Sequence, residues 1–183
     1  MKIGDKLPNF KLASVSGQWI TNFDFADKYS LLIVVTCNHC KYANAYWNRL
    51  IKLHTKYEED NLGMLAICGN DASKYPQDSI EGMHELARKI HLNFPYLHDP
   101  TQSFIQVLGA TRTPEVFLFN NQRELVYCGA IDDCWENENG VMNGYLDDAI
   151  EYCLDGLEVD YPEIEPVGCS IKWLPGNEIF YLN

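Results

Sequence analysis

The chain has 183 residues, 46% of them hydrophobic, which suits one domain of ordinary size with a core that needs no disulfide staples. A net charge of −12 argues against a general electrostatic grip on nucleic acid or anionic membrane, since such binding draws on clustered Lys and Arg. The opening Met1-Lys2-Ile3-Gly4-Asp5-Lys6-Leu7-Pro8 has no apolar signal core, and no uncharged stretch nears the roughly 18 residues of a membrane span. A cytoplasmic protein acting on proteins or small molecules is expected.

Residues 10–15 and 18–20, separated by Ser16-Gly17, read as an N-terminal hairpin, and 22–28 as a short helix. The run Leu31-Leu32-Ile33-Val34-Val35 is a buried strand that empties into Thr36-Cys37-Asn38-His39-Cys40. From Lys41 a helix follows, with Tyr46, Trp47, Leu50, Leu53, His54 and Tyr57 at spacings of three and four. Residues 63–68 form a second buried strand. Asp78-Ser79-Ile80-Glu81 starts a helix whose apolar stripe continues through Met83, Leu86, Ala87 and Ile90. Residues 94–97 are extended, and 101–108 make a helix that Gly109 ends. Residues 116–119 and 125–128 form an antiparallel hairpin, and Leu146, Ile150, Cys153 and Leu154 a last helix closed by Gly156. The order βαβ, helical insertion, ββα gives an α/β fold with a central mixed β-sheet flanked by helices.

Cys37 and Cys40 stand where a buried strand hands over to a helix N-terminus. Residues three apart on a helix lie about 5–6 Å from each other, the Cα separation that a disulfide requires. Unpaired N–H groups of the first helical turn, the positive end of the helix dipole and His39 would each favour a thiolate. Cys37 is expected to be the outer, attacking sulfur and Cys40 the resolving one. A structural zinc site needs four ligands. No second C-x-x-C occurs, which leaves only Cys37, His39, Cys40 and a distant Cys169. Seven cysteines do not suit a closed disulfide framework, so Cys68, Cys128, Cys134 and Cys153 read as plain thiols.

The Cys pair at the end of the first long strand, Thr113-Pro114 before the Val116 strand, and the final ββα resemble the thioredoxin fold. Residues 4–12 and the insertion at 79–109 resemble its redoxin branch, the AhpC/TSA family. The segments Cys37-Asn38-His39-Cys40, Asn70-Asp71, Tyr75-Pro76-Gln77-Asp78-Ser79, Phe94-Pro95-Tyr96-Leu97, Ile131-Asp132-Asp133 and Gly168-Cys169-Ser170-Ile171-Lys172-Trp173 resemble a group of bacterial thioredoxin-like redoxins over nearly the whole chain. The resemblance implies one thioredoxin-like (redoxin) domain over 1–183, with 156–183 a C-terminal tail packed on it. It also implies a cis Thr113-Pro114 peptide beside the cysteines.

Two departures from the family patterns bear on function. The peroxiredoxin motif P-x-x-x-T-x-x-C is absent, because Val34 and Ser30 stand at its threonine and proline positions before Cys37. The buried acid that thioredoxins carry six residues before the first cysteine is here Leu31.

The expected activity is thiol–disulfide oxidoreduction with no bound cofactor and no metal. The substrate is a protein or small-molecule disulfide, and a thiol donor returns the pair to the reduced state. Cys37 and Cys40 carry the chemistry, His39 tunes the potential, and Thr113 and Pro114 shape the substrate groove. Arg112 lies near Cys37 and favours its thiolate by charge. Cys169, in a tail where Ile171 and Trp173 alternate as in a strand, is a third thiol able to shuttle electrons if it reaches Cys37. Asp71 and Glu115 are weaker candidates for proton acceptor. The alternatives are a thiol peroxidase and a non-catalytic metal- or partner-binding module.

Overall fold

Strand β3 (Ser30–Val35) is buried along its whole length, as a continuous apolar run without polar alternation requires. The computed structural model describes residues 1–178 and places this strand inside an eight-stranded sheet. Its parallel neighbour is β4 (Leu62–Cys68), reached through α1 (Lys41–Tyr57), and its antiparallel neighbour is β7 (Glu115–Phe119). Beyond β4 lies β5 (Tyr96–His98), and beyond β7 lies β8 (Leu125–Gly129). The predicted N-terminal hairpin is present as β1 (Lys11–Ser14) and β2 (Trp19–Thr21), and it extends the sheet by antiparallel pairing with β5. A two-residue strand β9 (Glu163–Ile164) closes the other edge, giving the order β2-β1-β5-β4-β3-β7-β8-β9.

Side chains alternate across β3. Leu32 and Val34 face a core shared with Tyr46, Trp47 and Leu50 of α1, Met83 of α2 (Ile80–Lys89) and Leu146 and Ile150 of α4 (Tyr145–Leu154). Leu31, Ile33 and Val35 face a second core with Phe104, Ile105 and Leu108 of α3 (Ser103–Leu108). Helices thus cover both faces, as the element order predicts.

The insertion at 79–109 folds as α2, β5 and α3. Ser79 caps α2, accepting from the Gly82 N–H at 3.2 Å. Helix α3 starts two residues later than its sequence pattern suggests, because Gln102 takes a left-handed φ of 62° and is fully buried. Its amide is spent on other elements: Nε2 donates to the carbonyls of Gly69 and Lys172, and Oε1 accepts from the Leu174 N–H. Gly109 ends the helix at φ +76°, a conformation in which a side chain would be strained.

The tail packs on the domain through Ile171, which is buried in the second core with Trp173 against it. The last five residues of the segment predicted as the tail, 179–183, lie outside the described residues. A separate two-stranded ladder, absent from the sequence reading, pairs β6 (Arg112–Thr113) with β10 (Cys169–Ser170).

Leu118 of β7 is fully buried between β3 and β8. Leu118→Ala is expected to lower the unfolding free energy by about 2–5 kcal/mol, read from the urea midpoint at unchanged slope.

Candidate active site

The last rung of the parallel ladder, Thr36 N–H to the Ile67 carbonyl at 2.9 Å, delivers Cys37 to the carboxyl edge of the sheet. Cys40 is the N-cap of α1, with an extended backbone whose carbonyl accepts the first helical hydrogen bond from Asn44. Both sulfurs converge on Thr113. Its hydroxyl lies 3.3 Å from Cys37 Sγ, and its carbonyl accepts the Cys40 S–H at 3.3 Å in the neutral dithiol. The Thr113-Pro114 peptide is cis, as the resemblance implies. All seven cysteines are free thiols, so this is the reduced state of the pair.

Cys37 is 0% and Cys40 1% exposed, so the expected contrast between an outer and an inner sulfur is absent. The two sulfurs interact closely enough that the pair loses its first proton jointly. Donation to Cys40, followed by burial and the nearby Asp78 carboxylate, pushes Cys37 far above an ordinary thiol. Acceptance from Cys37, with the Cys169 side chain and the Ala43 and Cys169 backbones adding to it, pulls Cys40 well below. The directions favour the negative charge on Cys40, at the helix N-terminus, where the sequence reading expects it on Cys37. Burial pushes Cys68 up to about 12 and Cys128 and Cys153 to about 11, so these remain neutral at pH 7.

His39 does not act on the cysteines alone. Its Nδ1 donates to Asp78 Oδ2 at 2.5 Å, and its ring stacks on Tyr75 with centroids 4.4 Å apart. Asp78 is fully buried at the end of the 3-10 turn Pro76–Asp78, and it also accepts from the Asn38 N–H (2.7 Å) and the Asn70 amide (2.8 Å). Three donors compensate its desolvation. Cys37, His39 and Asp78 each bring a heteroatom to within 4.8 Å of the others, the only such group among the described residues able to hold a metal ion together. Two of its three members already bond each other. Asp78 is the residue that sequence reading missed: it lies 41 positions from Cys37 and reads locally as a helix start. Its signal was the Tyr75-Pro76-Gln77-Asp78-Ser79 segment, used there only for the resemblance.

Arg112 is exposed and lines a shallow surface depression with Glu165, Pro166, Val167 and Gly168. The charges that weigh most on Cys37 are those of Asp78 and Cys68. Neither carboxylate weighed as a proton acceptor reaches Cys40. Asp71 caps Ser73 and pairs with Lys74, whereas buried Glu115 accepts from the backbones of Thr111 and Arg112 and thereby shapes the turn into Thr113. Cys169 comes near the pair on the Cys40 side, where it lowers the Cys40 pKa while Cys40 raises its own.

Three comparisons bear on this arrangement. The model of the AhpC/TSA family matches residues 3–128. A hypothetical protein from Sinorhizobium meliloti 1021 is 31% identical, with a TM-score of 0.91 and 96% of this chain and 97% of that chain covered. An uncharacterized conserved protein from Geobacillus kaustophilus is 32% identical, with a TM-score of 0.90 and coverage of 96% and 94%. A thiol:disulfide interchange protein of the thioredoxin family from Chlorobium tepidum TLS has a TM-score of 0.65, 11% identity and coverage of 84% and 99%, a likeness of fold alone. No curated protein matches the chain.

The placement of the charge has a spectroscopic signature. Thiolate absorbance at 240 nm is expected to persist in the reduced protein at pH 7, where an ordinary thiol of pKa about 8.5 is mostly protonated, and to vanish in Cys40→Ser. Asp78→Ala is expected to cost at least the roughly 1–3 kcal/mol of one stranded buried donor, measured by urea unfolding.

Proposed function

The chain belongs to the AhpC/TSA family, and from that premise we propose that it is a thiol–disulfide oxidoreductase whose working pair is Cys37 and Cys40. The observation that carries this reading is the convergence of both sulfurs on Thr113, each hydrogen-bonded to it, with one of them favoured as thiolate. Such a pair exchanges its two protons and two electrons for a disulfide without a bound cofactor. The substrate is a protein or small-molecule disulfide, and a thiol donor restores the reduced state. Pro114 and Thr113 form the wall against which the exchange takes place.

His39 and Asp78 serve the pair through charge. The Asp78 carboxylate orients the imidazole and opposes a negative charge on Cys37, which leaves Cys40 as the ionised sulfur. Ionisation stabilises the reduced form and makes the disulfide the more oxidising. No helix among the described residues is long and apolar enough to cross a membrane. We place the protein in the reducing cytoplasm, where free thiols persist.

The peroxidase alternative lacks its pocket. Val34 is a fully buried core residue and Ser30 begins β3 at the far end of the strand from Cys37, so neither supplies the hydroxyl or the turn that a peroxide site requires.

With dithiothreitol as donor, the reduced protein is expected to accelerate cleavage of insulin disulfides. Cys37→Ser and Cys40→Ser should fall to the rate of dithiothreitol alone. A wild-type protein that consumes hydrogen peroxide faster than free cysteine and leaves insulin untouched would reverse the assignment. Stoichiometric zinc in anaerobically purified protein, lost in Cys37→Ser, would replace catalysis with metal binding.

A further inference from the structure

The two cysteines of the pair have almost no surface, whereas Cys169 is only half-buried. Cys169 sits directly opposite Thr113 in the β6–β10 ladder, on the residue that both sulfurs of the pair touch. The approach is close because residue 168 is glycine: a Cβ there would stand 2.4 Å from the Thr113 carbonyl oxygen. The tail is also tied down beyond this point. The Lys172 N–H donates to Asn70 Oδ1 (2.9 Å), and its carbonyl accepts from the Asp71 N–H (2.8 Å) and Gln102 Nε2 (2.9 Å). Uncovering the pair would break this set of bonds together with the β6–β10 pairing.

We infer that Cys169 is a third redox thiol, the one that meets the incoming disulfide, and that it passes the exchange inward to Cys40 and then Cys37. This rests on the reading of Cys37 and Cys40 as the working pair. First, Cys169, beside Lys172 and Lys41, gives its proton to water and attacks one sulfur of the substrate R–S–S–R′. A Cys169–SR bond forms, and R′S⁻ leaves and takes a proton from water. Next, Cys40 attacks the Cys169 sulfur, forming a Cys40–Cys169 disulfide, and the departing RS⁻ takes a proton from water. Last, Cys37 attacks Cys40, forming the Cys37–Cys40 disulfide, and its proton goes to the Cys169 thiolate. Two electrons have moved from the pair to the substrate, and Cys169 is again a free thiol. A thiol donor runs the same steps in reverse.

The surroundings of Cys169 also indicate the class of substrate. Lys172 and Lys41 are the cations that act on its sulfur, in a chain whose net charge is −12. They favour an anionic disulfide over a cationic one, which makes oxidised glutathione a suitable probe.

Reduced wild type, Cys37→Ser, Cys40→Ser and Cys169→Ser would each be mixed with oxidised glutathione, blocked with iodoacetamide, digested and mapped by mass spectrometry. Cys37→Ser should stop at a Cys40–Cys169 disulfide, and Cys40→Ser one step earlier, with glutathione on Cys169. Cys169→Ser should oxidise at least about tenfold more slowly than wild type, while still ending at the Cys37–Cys40 disulfide. The relay is overturned if Cys169→Ser oxidises as fast as wild type or faster, or if Cys37→Ser carries glutathione on Cys40 with Cys169 unmodified. If the wild type never yields a Cys37–Cys40 disulfide, it is the oxidoreductase reading itself that fails.

Discussion

Thr113 is the residue on which the site is assembled. With 1% of its surface exposed, it meets Cys37 through its hydroxyl and Cys40 through its carbonyl, pairs with Cys169 along its backbone, and enters a cis peptide to Pro114. Three segments far apart in the chain therefore share one contact point. Its position is fixed from behind by Glu115, whose carboxylate collects the N–H groups of Thr111 and Arg112 and folds the turn back on itself. Burial raises the Glu115 pKa, while the backbone donors lower it. A carboxylate that points inward at a strand start is thus part of how two sulfurs and a tail meet.

The second governing feature is a buried negative charge beside a thiol. Asp78 is satisfied by an imidazole, an amide and a backbone N–H, so it is held inside the protein at tolerable cost. Its field disfavours a second anion at Cys37, and the helix N-terminus favours one at Cys40. Charge and helix together give the two sulfurs different surroundings even though both are covered.

The large elements were legible in the sequence because each depends on local order. The unbroken apolar runs at 31–35 and 63–68 are strands buried on both faces, and the spacing of Tyr46, Trp47, Leu50 and Tyr57 is the buried face of α1. The cysteine pair was legible by position, at the junction of strand and helix. What escaped is non-local. The two-residue ladder between β6 and β10 has no periodicity to read, and Gln102 breaks its helix for the sake of a tail 70 residues away. The partner of His39 could not be named from spacing, nor could which sulfur takes the charge, because both depend on Asp78 arriving from another loop. Arg112 adjoins Thr113 in sequence but is exposed where Thr113 is buried, because neighbours along a strand point to opposite sides.

Glycine at position 168 sets the distance between the tail and the cysteine pair. With only hydrogen at its Cα, the tail backbone settles onto the Thr113 carbonyl, and the next residue presents sulfur to sulfur. Any side chain there would act as a wedge, prising the third cysteine from its neighbours while leaving every thiol in the chain chemically intact. The spacing of the three sulfurs thus hinges on a residue that has no chemistry of its own.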